Sequence, residues 1–254
     1  MTEQRRKEVV NSLANGLAVI RLFGEGQGEF TITEVAQQAG LTPASARRIL
    51  LTLADLGYVV FDRRRARLMP RVLDLGYSYL SSQPFWHVAQ PVLERVSTQL
   101  GLPSSGAVLS LPDIVFTIRA PTQVGTALVS VGTHLSAWPT ALGRAILADL
   151  PESELTAYLQ SVDLKPFTPF TVVDHDAVLD AIRQVRRLGY AVSDRQYDIG
   201  VRALAVPVRN RSGVVVAAID VAVDPRMHAI ETLVETAFPV LAAAAREISG
   251  SLPV

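Results

Sequence analysis

The side chains best equipped to do chemistry are arginines, and they fall in two clusters. Arg47 and Arg48 sit in a stretch of helical periodicity, and Arg63, Arg64 and Arg65 are followed by Ala66 and Arg67. Ser45, Arg48 and Thr52 recur at i, i+3 and i+7, opposite Ile49, Leu50, Leu53 and Leu56. One helix would therefore bury its leucines and present hydroxyls and guanidinium groups, with Arg47 alongside. Arginine is the usual bidentate partner of guanine O6 and N7, and serine or threonine can contact base or phosphate. Charge alone leaves a second reading open, in which the pair is a solvated helix face and the run a soluble loop.

Other chemistries find less support. Cysteine is absent, which excludes a disulfide scaffold, a thiolate zinc site, an iron–sulfur cluster and a cysteine nucleophile. His87, His134, His175 and His228 are far apart and show no metal-ligand spacing. Gly24, Gly26 and Gly28 alternate in a polar loop with no strand before them, and no Walker, dinucleotide or nucleophile-elbow motif occurs. His175 between Asp174 and Asp176 reads as a helix start, where acids favour the dipole. No cofactor or metal is expected. Asp220 in an apolar strand is unusual and would need a partner, such as an arginine.

The 254 residues carry 24 Lys+Arg and 24 Asp+Glu, 49% hydrophobic residues and 19% charged ones. The neutral total argues against a nucleic-acid binder until the chain is divided. Residues 1–83 hold 11 Lys+Arg against 8 Asp+Glu, while residues 84–254 hold 13 against 16. A mildly basic module thus precedes a mildly acidic one. No apolar run reaches the ~18–20 residues needed to span a bilayer, and Asn11, Ser12 and Asn15 interrupt any signal-peptide core behind Arg5–Lys7. A cytoplasmic chain making no membrane contact is expected.

The elements that must position these residues follow from periodicity and punctuation. Val10, Leu13, Leu17 and Ile20 mark a first helix, stopped by Gly24 and Gly26. Thr31 with Glu34 forms a capping-box signal for a second helix that ends at Gly40. Thr42 caps a third, with Pro43 at its first position and Gly57 after its end. Tyr58–Phe61, a polar tip over Asp62–Arg65 and a return to Met69 predict a basic hairpin. Helix, short turn, helix and hairpin form a winged helix-turn-helix order. Thr31, Thr33 and the start of the second helix would then be placed to hold a phosphate, and the Arg63–Arg65 tip to lie along the backbone or in the minor groove.

Pro70–Ser82 predicts a linking helix. Beyond it come a helix over Pro84–Leu100, strands over Ala107–Leu111 and Ile114–Ile118, and a short strand over Ala127–Val131. Helices over Ala141–Leu150, Glu152–Leu159 and Asp174–Leu188 follow. Strands over Tyr190–Ser193, Ala203–Val208 and Val214–Val223 precede a final helix containing Pro239. The Asn210–Gly213 turn implies antiparallel pairing. The fold class is α+β, in two domains: residues 1–70 as the winged module, 71–83 as linker, and 84–254 as a domain for effector binding and oligomerisation.

At this point the residues match a family. GLAVIRLF (Gly16–Phe23), AQQAGL (Ala36–Leu41), ARRIL (Ala46–Leu50) and LGYV (Leu56–Val59) resemble the DNA-binding half of the IclR family of bacterial transcription regulators. LDLGYSY (Leu73–Tyr79), AQPVLE (Ala89–Glu94), Gly143–Arg144, Gly189–Tyr190 and IGVRALAVP (Ile199–Pro207) extend the resemblance over nearly the whole chain. The wording is most similar to the branch that controls catabolism of aromatic acids such as protocatechuate and 4-hydroxybenzoate. The resemblance implies a winged helix domain, a linker helix and a GAF-like effector-binding domain. It also implies homodimers or tetramers on palindromic double-stranded DNA operators, and a small organic acid as effector.

In relatives that bind glyoxylate or pyruvate, the ligand touches positions matching Leu135, Ala141, Leu142, Ser193, Ala203, Asp220 and Ala222. Here the family's cysteine is Ala203, its aspartate is Ser193 and one serine is Asp220, so a different effector is expected. Trp138 beside these positions would stack on a ring or simply pack. An anionic ligand would need a donor such as Arg119, His134, Arg144 or Arg202, each of which has a structural ion pair as its alternative role. An enzyme domain fused to a helical interaction module, or a pure protein-interaction domain, remains open on the residues alone.

Overall fold

The computed structural model describes residues 10–24, 28–120 and 129–252. The chain divides into two compact units after Tyr79, within the linking helix.

The first unit contains α1 (Asn11–Leu22), β1 (Glu29–Thr31), α2 (Ile32–Gln38), α3 (Pro43–Asp55), β2 (Val59–Asp62) and β3 (Arg65–Leu68). Gly40, at φ +64°, closes α2. The amide of Leu41 bonds the Ala36 carbonyl at 2.8 Å, a glycine cap that turns the chain sharply into α3. Val19, Phe23, Phe30, Val35, Ala46, Leu50, Leu53 and Ala66 form the core. Full burial of one such leucine contributes about 1.5–3 kcal/mol. Leu56, expected on the buried face, is 52% exposed because the helix has already ended there.

The expected hairpin is a three-stranded antiparallel sheet in the order β1-β3-β2. The added strand pairs Phe30 with Ala66, and Phe30 meets Phe23 edge-on at 5.3 Å. Three residues are too few to show an alternation, so pattern alone could not reveal it. Asp62 and Arg65, expected in the tip, are paired strand residues, which leaves Arg63–Arg64 as the turn. Gly24 follows α1 as expected, and Gly26 lies outside the described residues.

A 3-10 turn (Pro70–Val72) leads to the linking helix α4 (Leu73–Ser82). The second unit then holds α5 (Pro84–Leu100), β4 (Ser104–Ser110), β5 (Asp113–Ala120), β6 (His134–Ser136), α6 (Ala141–Leu147), α7 (Glu152–Ser161), α8 (His175–Leu188), β7 (Ala191–Asp194), β8 (Arg202–Arg209), β9 (Val215–Val223) and α9 (Ile230–Ser251). Six strands form one antiparallel sheet in the order β6-β5-β4-β9-β8-β7. The strand expected over Ala127–Val131 is not found: residues 127 and 128 lie outside the described residues, and 129–131 is irregular. The strand beside β5 is His134–Ser136 instead.

Side-chain size alternates across this sheet. Leu204, Val206 and Val208 with Ile219, Val221 and Val223 pack under α5 and α9. Ala203, Ala205, Ala218 and Ala107 face the other way, toward α6 and α8. The period of two thus puts bulky aliphatics on one face and alanines on the other. Among the described residues, no helix is long and apolar enough to cross a membrane.

Candidate DNA interface and effector site

Helix α3 begins at a capped terminus. The Ser45 amide donates to Thr42 Oγ1 at 3.2 Å, and the Thr42 hydroxyl donates to Ser45 Oγ at 3.0 Å. Arg47, Arg48 and Thr52 are exposed along the same helix, as are Ala44 and Leu51. The Thr52 hydroxyl donates back to the Arg48 carbonyl at 2.9 Å. Arg47 and Arg48 form no ion pair among the described residues, so their guanidinium groups stand open to solvent. Leu51, 41% exposed, was not singled out from the sequence, where only hydroxyls and guanidinium groups were sought on this face. On a groove-facing helix it suits a thymine methyl.

The arginine run splits by role. Arg63 and Arg64 are exposed at the wing turn, Arg63 in the left-handed region at φ +55°. Arg65 donates to the Glu29 carbonyl at 3.0 Å and to Glu34 at 3.5 Å, fastening β3 to α2. It is a paired strand residue tethered to Glu29 and Glu34, not part of the tip where it was expected. The start of α2 also differs from expectation. The Thr31 amide donates to Glu34 Oε2 at 2.7 Å, and the Glu34 amide to Thr31 Oγ1 at 3.2 Å. A reciprocal capping box fills these positions, and its hydrogen bonds hold the Glu34 carboxyl below its usual range. An ionised acid sits where a phosphate was expected, so Thr31 is a cap. Thr33, two residues on, is exposed.

In the second unit the expected effector residues separate into two groups. Ser193 pairs with Ala203, and Ala203 with Ala222, in one row across β7, β8 and β9. The next row carries Ala205, Asp220, Ser105 and Arg119 across β8, β9, β4 and β5. Antiparallel partners share a face, and this is the alanine face under α6. Leu135, paired with Ile114, packs against the same cluster. Ala141 and Leu142 are buried on α6, behind the Thr140 cap. A Cβ at Gly143 would overlap the Ala137 backbone, so only glycine lets the loop cross the first turn of α6.

Three expected donors are engaged elsewhere or point away. Arg202 is one residue from Ala203 and therefore on the opposite face. It bonds Asp194 at 2.8 Å and the His228 carbonyl. Burial raises the Asp194 carboxyl, but hydrogen bonds from Arg202 and Arg195 outweigh it and leave the group below its usual range. His134 is exposed and alternates away from Leu135. Arg144, 3% exposed, donates to the Trp138 carbonyl at 2.8 Å and Gln196 Oε1 at 2.7 Å. Burial lowers its pKa to about 10. Trp138 is core, its ring 6.1 Å from that of Phe167.

What remains on the alanine face is a pair of opposite charges. Asp220 is 5% exposed and its Oδ1 has no hydrogen-bond partner among the described residues, nor has the buried Nε of Arg119. Burial pushes the Asp220 carboxyl up to about 7, against the pull of Arg119 and Ser105.

A basic winged helix-turn-helix joined to a sheet domain with unfilled polar positions defines a ligand-responsive transcription regulator. The IclR helix-turn-helix domain matches residues 12–63, and the bacterial transcriptional regulator IclR C-terminal domain matches residues 77–250. The chain belongs to the IclR family of bacterial transcriptional regulators. The Pca regulon regulatory protein of Pseudomonas putida is 37% identical over 247 residues, covering 96% of this chain and 85% of that protein. A Rhodococcus sp. RHA1 crystal structure superposes with TM-score 0.87 at 41% identity, covering 96% of this chain and 98% of that one. An IclR homologue from Microbacterium hydrocarbonoxydans, solved in complex with 4-hydroxybenzoate, superposes with TM-score 0.81 at 25% identity over 95% of this chain and 98% of that one. With the family shown, the enzyme reading falls away, because the matched proteins are regulators.

Proposed function

We propose that the protein regulates genes of aromatic-acid catabolism in response to an aromatic acid. Helix α3 reads a major groove through Arg47, Arg48 and the face they share, and Arg63 and Arg64 contact phosphate or the minor groove. The protein acts as a homodimer or tetramer, with recognition helices in successive grooves of a palindromic operator, ~34 Å apart for adjacent half-sites. The effector has different affinity for two arrangements of the protein, and the segment 71–83 carries that bias along the chain to residues 1–70.

The observation that carries this reading is the open guanidinium face of α3 beside an arginine wing turn. The relatives supply the pathway: one is a Pca regulon regulator, and a structural neighbour holds 4-hydroxybenzoate. Fluorescence anisotropy with the DNA upstream of the protein's own gene tests it, with and without 4-hydroxybenzoate, protocatechuate and adipate. Salt-dependent binding that shifts with an aromatic acid is expected. Binding indifferent to all three acids contradicts the effector class.

A further inference from the structure

Strand β7 is an edge of the six-stranded sheet, and there it borders, with α8 and α9, a cavity of about 320 Å³. Close-packed interiors leave few voids larger than a water. The wall is aliphatic: Ala181, Val185 and Leu188 from α8, Val192 from β7, and Ile230 and Val234 from α9. Gln184 and Leu188 are exposed and mark its opening to solvent. One charged side chain lines it, Arg144 of α6. That guanidinium is almost wholly buried and forms no ion pair among the described residues. Its Nε and Nη2 hold the Trp138 carbonyl and Gln196, while Nη1 makes no hydrogen bond among the described residues. Burial lowers its pKa, and no carboxylate pulls it back up. A buried cation without a counter-charge is costly. The start of α9 adds donors: Ala229 offers no side-chain cap to this 22-residue helix, so its first amides are open and its dipole favours an anion. Glu231 of that turn is exposed and does not line the cavity.

We propose that this cavity is a second ligand site, taking an aliphatic monocarboxylate whose carboxylate meets Arg144 and whose chain lies against the side chains of α8 and α9. A buried guanidinium with no acid of its own is a strong, charge-assisted partner for a carboxylate. The aliphatic wall favours an alkyl chain, because burying methylenes is favourable. A second carboxylate would have to enter that wall unpaired. Tyr190, the one aromatic residue of the lining, is engaged with Phe238, their rings 4.9 Å apart. At ~30 Å³ per heavy atom, the share a water takes in the liquid, the cavity matches a molecule of roughly ten such atoms, the size of octanoate. The site is distinct from the alanine face: Ser193, Ala203, Ala222, Asp220 and Arg119 do not line it. It therefore stands independently of the aromatic-acid reading. Arg144 also joins Trp138, ahead of α6, to Gln196, beyond β7, so an occupant would touch the tie between these two segments.

Calorimetric titration of the full-length protein with octanoate, its neutral analogue octanamide and acetate tests it, using wild type, Arg144→Gln, Ala181→Phe and Val234→Phe. The last two substitutions would fill the cavity and leave Arg144 in place. Wild type should bind octanoate at one molecule per chain, with octanamide weaker by about tenfold or more and acetate giving no measurable heat. Arg144→Gln should bring octanoate and octanamide close together, and Ala181→Phe and Val234→Phe should each weaken octanoate by about tenfold or more. Thermal unfolding confirms that each variant is folded. Arg144 also holds Trp138 and Gln196, so if Arg144→Gln is not folded, the octanamide comparison and the two cavity-filling variants decide. Saturating 4-hydroxybenzoate should leave the octanoate stoichiometry unchanged. No octanoate binding, octanamide or acetate bound as tightly as octanoate, affinity undiminished in both cavity-filling variants, or octanoate sites lost as 4-hydroxybenzoate is added would each overturn the inference, whatever becomes of the aromatic-acid reading.

Discussion

Arg65 in the wing reaches back to Glu34 in α2, donating from Nη1 to the carboxylate at 3.5 Å and to the Glu29 carbonyl at 3.0 Å. Its neighbours Arg63 and Arg64 have no such tether among the described residues. Three consecutive arginines therefore differ in their contacts, one tethered and two exposed. Replacing Arg63 and Arg64 with glutamine should weaken binding to any duplex and reduce the salt slope by about 1–2, with the melting temperature almost unchanged. Arg65→Gln should instead lower the melting temperature of the winged unit. Anisotropy titrations over a salt series, paired with thermal unfolding, separate the two. A salt slope unaltered in the double variant removes the wing from phosphate.

Gly143→Ala should be severely destabilising, by about 3 kcal/mol or more. The new methyl would overlap the Ala137 carbonyl and its backbone carbon, atoms that cannot move aside as a flexible side chain would. Urea unfolding followed by circular dichroism measures the loss. A midpoint close to wild type would mean that the loop before α6 yields more easily than its packing implies.

Asp220 makes the ligand-free protein sensitive to pH. Its carboxyl is raised to about 7 in the folded state, against about 4 in an unfolded chain. The native state keeps a proton that the unfolded chain has lost, so stability falls as pH rises from about 4 to about 7 and then levels off. Asp220→Asn should abolish that decline and make the protein more stable than wild type at pH 8 by about 2–4 kcal/mol. Unfolding curves at pH 5 and pH 8 read this directly. A variant with the same decline as wild type assigns the pH dependence to another group.

The winged order was legible in the sequence because its signals are local. Thr31 with Glu34, Thr42 with Pro43, and the glycines at 40 and 57 each fix a helix end within a few residues. The three-residue strand at Glu29–Thr31 left no pattern to find. The sheet of the second unit was legible as alternation, and the same alternation exposes the error over Arg202: a residue next to Ala203 on a strand must face the other way. The fate of Arg65 and Arg144 could not be read from sequence, since their partners, Glu34 and Gln196, are 31 and 52 residues away. Asp220 stood out as a charge in an apolar strand. That Arg119 lies in the same row two strands away, beyond Ser105, depends on strand order, which the sequence does not display.

If α3 reads DNA sequence as proposed, Arg48 is the side chain that shows it most directly. Arg48 is exposed on α3 and makes no ion pair among the described residues, so Arg48→Ala should leave the fold and melting temperature intact. Anisotropy with the operator and with a scrambled duplex, at one salt concentration, measures specificity as a ratio. The expected result is a loss of about 1–3 kcal/mol on the operator and a much smaller loss on the scrambled duplex. Equal affinities of wild type and Arg48→Ala for the operator, with the ratio unchanged, would contradict it.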